Sequence, residues 1–349
     1  MQNIIDFVRQ YRGLSIAAGS LLLALTLLLV GRGILHRQKL HINEPVAIYI
    51  PSGSTFDQLV DSLEAHDCIT DPAVFRSMAR ARHLTEHVKS GRYLLQPGMS
   101  LYQVVNKLYC GNQDAVRLTI NKHRTKAHLC EFLGRKLEMS GDTLLALLDD
   151  SAFCSRYEST PNTIIALFIQ NTYDIYWNTT PEKLLDRMQK EYNRFWTPLR
   201  QGQCSDLGLS PVEIITLASI VEEETNADEE KPLIASVYLN RLRQGMPLQA
   251  DPTLKYAVGD FTLRRLLNRH TTVDNPYNTY MYKGLPPGPI CIPSIASIDA
   301  VLENHRSDYL YFCAKEDMSG RHNFARNADE HAANAARFHQ ALNSKGIYK

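Results

Sequence analysis

The sequence predicts an α+β protein in three parts: an N-terminal transmembrane helix, a small α+β module and a mainly helical C-terminal domain with short strands. Three observations predict this fold class. An uncharged apolar run lies near the N-terminus, two short β-like runs then each precede a helical pattern, and helical periodicity dominates from there on. We place the boundaries at residues 1–12 for a tail, 13–31 for the transmembrane anchor, 32–44 for a linker, 45–115 for the module and 116–349 for the C-terminal domain.

The composition excludes several classes of protein. The chain has 349 residues, with 38 Lys and Arg against 37 Asp and Glu, and this near-zero balance argues against a nucleic-acid partner. No two of the seven cysteines stand at C-x-x-C spacing, which argues against a zinc knuckle or a thioredoxin-type site. We therefore expect no metal and no cofactor, while the pairing of the cysteines stays open.

The apolar run begins the chain's first predicted element. Residues 14–30 carry no charge, and with Gly13 and Gly31 the run reaches about 19 residues, close to the ~20 that span a bilayer as a helix. Arg32 and Gly33 follow it without a small-residue cleavage pattern, which favours an uncleaved anchor over a signal peptide. Basic residues flank both ends, so the charge bias does not set the orientation.

The next segment contains two similar stretches, each with a short β-like run before it. Both stretches place a hydroxyl residue two positions after a glycine and a glutamine three positions further on, and we expect Thr55 and Ser100 to cap helices. The β-like runs are Val46–Ile50 and Tyr93–Leu95. This pattern predicts a small α+β module, and a compact spacer is the alternative interpretation.

Helical patterns follow to the middle of the chain. They cover Thr125–Leu137, Thr143–Leu148 and a segment that starts at Thr180 and runs to about Phe195, after which Gln201–Gly208 is predicted to be a loop.

Ser210, Pro211 and Glu213 then form a strong helix start, with an N-cap, a first-turn proline and a capping box. On a helical wheel, the apolar stripe of this helix consists of Ile214, Leu217, Ala218 and Val221.

Three consecutive glutamates end this helix, and they are the first candidates for proton chemistry. A general acid must hold its proton near neutral pH, and apolar surroundings, the helix C-terminal end and neighbouring carboxylates all raise the pKa of a carboxyl group. Glu222 and Glu224 lie at the two borders of the apolar stripe and meet these conditions, whereas Glu223 falls on the polar face. A solvated surface is the alternative interpretation of all three.

Further blocks follow the glutamates. A helix is predicted from Pro232 to a C-cap at Gly245, and Asp251 with Pro252 predicts an N-cap and a first-turn proline. Two turn-rich loops come next, Asn275–Tyr280 and Lys283–Ile290. The Tyr, Asn and Thr side chains of the first are of the kinds that stack on sugars and hydrogen-bond to them.

Five blocks in this order resemble the YceG-like family of endolytic murein transglycosylases. The blocks are Leu217–Thr225, Ser236–Leu242, Leu248–Thr253, Tyr277–Tyr280 and Gly284–Ile290. The resemblance implies a LysM-like module at 45–115 and a catalytic domain at 116–349. It also implies three partners: peptidoglycan glycan strands, the inner membrane and peptidoglycan synthases.

The resemblance also implies site residues. It selects Glu222, the first glutamate after Ile-Val, as the catalytic acid/base over Glu224, a choice that the residues alone leave open. Substrate-binding candidates are Gln249, Asp251, Tyr277, Asn278, Thr279, Tyr173 and Glu224. One block departs from the family pattern, because Ile165, Gln170 and Asn171 replace a glutamate, a proline and an aspartate. Phe168, Thr172 and Tyr173 persist there, and we expect that block to line the cleft through shape and neutral hydrogen bonds.

The implied activity is non-hydrolytic cleavage of the MurNAc-GlcNAc β-1,4 bond to give 1,6-anhydroMurNAc ends, which terminates or sizes nascent strands. Such an enzyme would have its tail, residues 1–12, in the cytoplasm and its catalytic domain in the periplasm. A non-catalytic peptidoglycan-binding membrane scaffold is the alternative. The sequence contains neither the motif of a zinc peptidase nor that of a serine hydrolase. We interpret His322 and His331 as structural.

Overall fold

The computed structural model describes Tyr11 and residues 16–26, 39–263 and 266–344. The chain divides into two compact units. The first ends at Val116 but also includes Tyr176–Asn178, and the second consists of Arg117–Ile175 and Thr179–Lys349. The mixture of helices with short strands confirms the predicted α+β class.

The predicted transmembrane anchor, residues 13–31, lies partly outside the described residues. Its described part is an apolar helix, α1 (Ile16–Thr26). Among the residues that the structure describes, no single helix is long and apolar enough to cross a membrane.

The first unit packs its helices on a two-stranded antiparallel sheet. Strand β1 pairs with β2 from Val46 opposite Leu95 to Ile50 opposite Gly91. The elements are β1 (Val46–Ile50), α2 (Phe56–Ala65), α3 (Pro72–Ala81), a 3-10 turn at Leu84–Glu86, β2 (Gly91–Leu95) and α4 (Leu101–Cys110). Alternate strand residues such as Ile48 and Tyr93 are fully buried, as the period of two requires. The LysM-like character of this module stays a prediction.

Both predicted caps of the module are confirmed. Thr55 accepts a hydrogen bond from the backbone of Gln58, whose side chain accepts one in return from the Thr55 backbone. Ser100 and Gln103 form the same reciprocal pair at the start of α4. Each pair satisfies two backbone donors that a helix start leaves without partners.

The segment Tyr176–Asn178 completes the first unit. The Asn178 amide donates to the backbone carbonyl of Ser90 at 3.1 Å and to its hydroxyl at 2.9 Å. The Trp177 ring meets the Tyr49 ring edge-on, with their centroids 5.2 Å apart. These contacts attach a segment from the middle of the chain to the strands at its start.

The second unit is mainly helical, with two small two-stranded sheets. Its elements are β3 (Val116–Ile120), α5 (Lys126–Lys136), α6 (Gly141–Asp149), α7 (Ser151–Ser155), a 3-10 turn at Ile164–Leu167, β4 (Asn171–Ile175), α8 (Pro181–Phe195), α9 (Pro198–Leu207), α10 (Pro211–Glu224), a 3-10 turn at Asp228–Glu230, α11 (Lys231–Arg243), α12 (Asp251–Val258), α13 (Asn268–Thr271), α14 (Ile295–Leu302), β5 (Tyr311–Ala314), β6 (His322–Ala325) and α15 (Ala328–Ser344). Strand β3 pairs with β4, and β5 forms an antiparallel hairpin with β6.

Most of the helices expected from the sequence are confirmed, but the loop predicted at Gln201–Gly208 is wrong. That stretch is most of α9, which Thr197 caps and which ends at Gly208 with φ +67°. Gly208, the last residue of the predicted loop, is the left-handed residue that terminates the helix.

Helix α10 lies at the centre of the second unit's core. Its Ser210 cap and the Glu213 side chain form the predicted capping box. The predicted polar face is wrong, because all eight residues from Ile214 to Val221 are buried. Thr216 and Ser219 donate to backbone carbonyls of their own helix, and Ser219 also accepts a hydrogen bond from the Ile290 backbone. The helix is therefore enclosed on every side up to its glutamates.

Candidate functional site

The three glutamates at the end of α10 enter three different environments. Consecutive helical residues point about 100° apart, so each side chain leaves the helix in its own direction. Glu224 lines a cleft, Glu223 forms ion pairs, and Glu222 lies at the start of another helix. The chemistry that each carboxyl group can perform follows from these surroundings.

Glu224 lies in a cleft of about 510 Å³. The phenol of Tyr238, which is buried on the neighbouring helix α11, donates a hydrogen bond to its carboxyl group. The cleft is lined by Glu224, Tyr238, Arg241, Leu248, Gln249, Asp251, Tyr280, Tyr311, Phe312, Cys313, Ala314, His322 and His331. The carboxyl group of Glu224 can therefore meet a ligand that enters this cleft.

Burial raises the pKa of Glu224 to about 7. The charges of Asp251 and Glu223 act in the same direction, whereas the Tyr238 hydrogen bond and the charge of Lys255 oppose it. A carboxyl group that keeps its proton at neutral pH is what general acid catalysis requires.

Glu222 does not have the raised pKa that its predicted role requires. Burial pushes the pKa of Glu222 upward, but hydrogen bonds from Ser294 and Ser297 and the charge of Lys231 outweigh it, so the pKa lies below its ordinary value. The Ser294 and Ser297 hydroxyls donate to the same carboxylate oxygen at 2.6 Å and 2.5 Å. The Lys231 ammonium lies 3.2 Å from that oxygen.

The position of Glu222 explains this stabilisation of its anion. Ser294 is the N-cap of α14, and its backbone N–H also donates to Glu222. A helix N-terminus favours negative charge. Glu222 therefore ties the last turn of α10 to the first turn of α14. It is not among the cleft-lining residues.

Glu223 lies opposite two basic side chains of the loop between β3 and α5. Its carboxylate is 3.1 Å from the Lys122 ammonium and accepts hydrogen bonds from the Arg124 guanidinium. Its side chain is only 10% exposed, so the predicted polar face is wrong here, and the alternative of a solvated surface does not fit Glu223 either. The helix wheel failed here because other elements cover the face of α10 that carries Glu223.

Gln249 and Asp251 lie in the cleft, as their candidate roles require. Gln249 adopts the left-handed conformation, with φ +52°, and its amide oxygen accepts a hydrogen bond from Arg241 at 3.3 Å. Asp251 is the first residue of α12, one position after the Ala250 N-cap, so the predicted cap lies one residue too late. The Tyr280 phenol donates to its carboxylate. Both side chains are solvent-exposed and can meet a ligand.

Tyr277, Asn278 and Thr279 are buried, in contrast to the sugar contacts expected for them. The Asn278 amide donates to the backbone carbonyls of Val273 and Thr271, at 2.8 Å and 3.0 Å. The Thr279 hydroxyl accepts from the Ala250 backbone at 3.0 Å. These side chains shape the loop and leave little or no surface for a substrate.

The block that departs from the family pattern contributes no residue to the lining of this cleft, and its aromatic rings lie in the core. Tyr173 is 4% exposed and donates to the Ile169 carbonyl, and Phe168 is 1% exposed. The Thr172 hydroxyl lies 3.0 Å from that of Thr119 on the paired strand. The expected lining role of this block is therefore not supported, because its aromatic rings pack inward.

Several cleft residues were not selected from the sequence. They are Tyr238, Arg241, Tyr280, Tyr311, Phe312, His322 and His331. Tyr238, Arg241 and Tyr280 stand inside the quoted blocks, so the blocks themselves were a signal that was not used. Among the described residues, no group of three or more His, Cys, Asp or Glu side chains is placed to hold a metal ion.

Comparison with known proteins identifies the family. The profile of the YceG-like family matches residues 48–337. The chain belongs to the YceG-like family. It is 28% identical to the endolytic murein transglycosylase of Bacillus subtilis over 91% of each chain. It is 29% identical to that of Streptococcus pneumoniae strain D39, covering 86% of this chain but 59% of that protein.

A solved structure of a family member is similar as well. The crystal structure of a putative YceG-like protein from Listeria monocytogenes superimposes with a TM-score of 0.55 at 28% sequence identity. The match covers 83% of this YceG-like chain and 99% of the other.

The raised pKa of Glu224 predicts the pH dependence of this YceG-like chain. If the protonated carboxyl group is required, kcat/KM falls about tenfold per pH unit above pH 7, because kcat/KM reports the ionisation of the free enzyme. Tyr238→Phe removes a hydrogen bond that lowers the pKa of Glu224, so the alkaline limb moves to higher pH. Activity of both proteins measured from pH 5 to pH 9 checks this. A shift to lower pH, or no alkaline limb, contradicts it.

Proposed function

We propose that this chain cleaves the glycan strands of peptidoglycan as a lytic transglycosylase, with Glu224 as its single acid/base. The relatives named endolytic murein transglycosylases support the reaction class. The observation that carries the assignment is the cleft-lining Glu224, which retains its proton up to about pH 7. A non-catalytic scaffold has no use for such a group, so we favour the enzyme over the scaffold.

In the proposed reaction, the Glu224 carboxyl group first gives its proton to the bridging oxygen between MurNAc and GlcNAc. The bond from that oxygen to the MurNAc C1 breaks. The 6-hydroxyl of the same MurNAc then attacks C1, and its proton passes to the Glu224 carboxylate. The product carries a 1,6-anhydroMurNAc end, the carboxyl group is restored, and no water is consumed.

A single carboxyl group suffices because the nucleophile belongs to the substrate. Glycosidases that use water or a covalent intermediate require a pair of carboxyl groups. The 6-hydroxyl is already held close to C1 by the sugar ring, and this proximity replaces an activated water.

Asp251 has a supporting role in this proposal. Its charge raises the pKa of Glu224, which keeps the acid protonated before the reaction. The Tyr280 phenol holds its carboxylate in the same cleft. A fixed negative charge there stabilises the positive charge that develops at C1 as the bond breaks. Gln249, held by Arg241, is positioned to hydrogen-bond to the sugars.

Analysis of the new chain ends tests the reaction type. The full-length chain in detergent is incubated with purified peptidoglycan, and mass spectrometry reads the ends. We expect 1,6-anhydro ends within the strands. Reducing ends instead mean that water is the nucleophile, and intact strands move the assignment to the scaffold.

The substrate also determines the proposed location. Peptidoglycan lies outside the inner membrane, so we place residues 1–12 in the cytoplasm, the anchor in the inner membrane and the catalytic domain in the periplasm. We also propose peptidoglycan synthases as partners, since they supply nascent strands that such an enzyme terminates or sizes. A reporter fused after Lys349 that is active only in the cytoplasm contradicts this orientation, and repeated co-purification without any synthase contradicts the partnership.

A further inference from the structure

The hairpin β5–β6 and helix α15 contribute several of the residues that line the cleft, including two histidines. His322 is on β6 and His331 is on α15. The sequence suggested a structural role for both histidines, but in the structure their side chains differ in hydrogen bonding.

His322 is bound on one side by a buried carboxylate. Its ring Nδ1 lies 3.0 Å from a carboxylate oxygen of Glu230, whose other oxygen accepts from the His322 backbone N–H. Glu230 is 6% exposed, so removal of the histidine ring leaves its carboxylate buried with one partner fewer. His322 thus has the structural role that the sequence suggested.

His331 has no such partner. Its Nδ1 is buried and has no hydrogen-bond partner among the residues that the structure describes. Its ring stacks on Tyr311, with centroids 5.2 Å apart and an angle of 24° between the planes. Stacking fixes the plane of the ring but satisfies neither nitrogen.

The protonation of His331 follows from these surroundings. Burial, and after it the charge of Arg241, lowers the pKa of His331, so the ring is neutral at pH 7. A buried N–H without a partner is rarer in proteins than an acceptor without one. The single proton therefore lies on Nε2, which makes this nitrogen of a cleft-lining side chain a neutral hydrogen-bond donor.

We propose that His331 is a specificity-determining residue that donates from Nε2 to the acetamido carbonyl oxygen of a sugar in the cleft. This inference rests on the proposed function, which supplies the glycan as ligand. Every sugar of the strand carries an acetamido group, whose carbonyl is a stronger neutral acceptor than a hydroxyl. The rings of Tyr311, on which His331 stacks, and of Phe312 also line the cleft and offer apolar surface to the sugar.

A binding experiment with three variants tests the proposal. The full-length chain carrying Glu224→Gln binds glycan without cutting it, and calorimetry compares N-acetylated with de-N-acetylated strand fragments. Adding His331→Phe keeps the stack on Tyr311 but removes the donor, and we expect about 10-fold weaker binding of the acetylated fragment alone. Adding His331→Gln keeps an amide donor and restores most of the affinity. The charge that deacetylation introduces is common to all variants and cancels in the ratios.

Thermal unfolding distinguishes this role from a purely structural one, in which His331→Phe lowers the unfolding midpoint. Because Nδ1 has no partner to lose, we expect His331→Phe to leave the midpoint unchanged or to raise it. His322→Phe is the matched contrast and should lower it by about 3–10 °C, since Glu230 loses a hydrogen bond.

Two outcomes overturn the proposal: an acetylated-to-deacetylated affinity ratio that His331→Phe leaves unchanged, or no binding of the acetylated fragment by the Glu224→Gln chain. Because the experiment measures binding, it tests the role of His331 even if the wild-type chain does not cut glycan. A lack of cleavage by the wild-type chain contradicts the proposed function and not this inference.

Discussion

Glu224→Gln is expected to lower the rate of glycan cleavage by about a thousandfold or more. Glutamine keeps the size of the side chain and can still accept the Tyr238 hydrogen bond, but it neither gives nor takes a proton. General acid–base catalysis typically contributes about 10²–10⁴-fold, and here one group is required for both proton transfers. The rate of formation of anhydro ends with purified peptidoglycan, compared at pH 6 with the wild-type rate, measures the loss.

Glu222→Gln is the matched control on the same turn of α10. Its amide retains hydrogen bonding to Ser294 and Ser297, so we expect cleavage within about tenfold of wild type. If Glu222→Gln abolishes cleavage of a folded protein while Glu224→Gln retains it, the catalytic role returns to Glu222.

Stability provides a second readout for Glu224→Gln. The pKa of Glu224 is raised to about 7 by folding, from an ordinary value of 4.5, so folding favours the protonated carboxyl group. Its stabilising contribution is complete below about pH 4.5 and is lost as the pH rises to 7. At pH 8 the buried wild-type carboxylate destabilises the fold, so Glu224→Gln should raise the free energy of unfolding by about 2–3 kcal/mol. The variant should then be inactive and yet more stable.

Lys231→Met is expected to lower the free energy of unfolding by about 3 kcal/mol at pH 7. The Lys231 side chain is 5% exposed and its ammonium faces Glu222, which is itself only 13% exposed. Methionine fills the space of the aliphatic stem but leaves the carboxylate without its cation, and such a break typically costs about 3–5 kcal/mol. The Ser294 and Ser297 hydroxyls and the helix N-terminus remain, which places the expected loss at the lower end.

The pH dependence of this loss identifies its cause. The pKa of Glu222 lies below its ordinary value, so its carboxylate stabilises the fold above that value and stops doing so as the pH falls through the folded-state pKa. The effect of Lys231→Met, followed by urea denaturation, should therefore shrink towards acidic pH. Adding Glu222→Gln removes the unpaired charge and should recover part of the loss. An equal loss at pH 4 and pH 7 would point to packing and not to charge.

The local structure was largely predictable because it depends on neighbours in sequence. The capping box at Ser210 and the caps at Thr55 and Ser100 involve residues three positions apart, and the structure contains all of them. The polar face of α10 was not predictable in this way. The Ser219 hydroxyl can be buried because the backbone N–H of Ile290, 71 positions further along the chain, donates a hydrogen bond to it. A helical wheel carries no information about such a partner.

The same limit explains the result at the glutamates. A helix that is enclosed on all sides has no apolar stripe to orient its last turn, so the sequence could not decide which of Glu222 and Glu224 faces the cleft. In the loop 275–280, the Tyr, Asn and Thr side chains were all of kinds that bind sugars, and three of them were selected as candidates. Only Tyr280 reaches the cleft, because Tyr277, Asn278 and Thr279 are used to hold the loop.

The contribution of Tyr176–Asn178 to the first unit has a consequence for how this module can be inherited. A module encoded by one uninterrupted stretch can be exchanged between genes by recombination at its two ends. Here Asn178, which contacts Ser90, and Trp177, which contacts Tyr49, are encoded far downstream of the rest of the unit. A gene fusion with its breakpoint after Val116 would separate them, so this module and the segment that completes it are expected to be transmitted together.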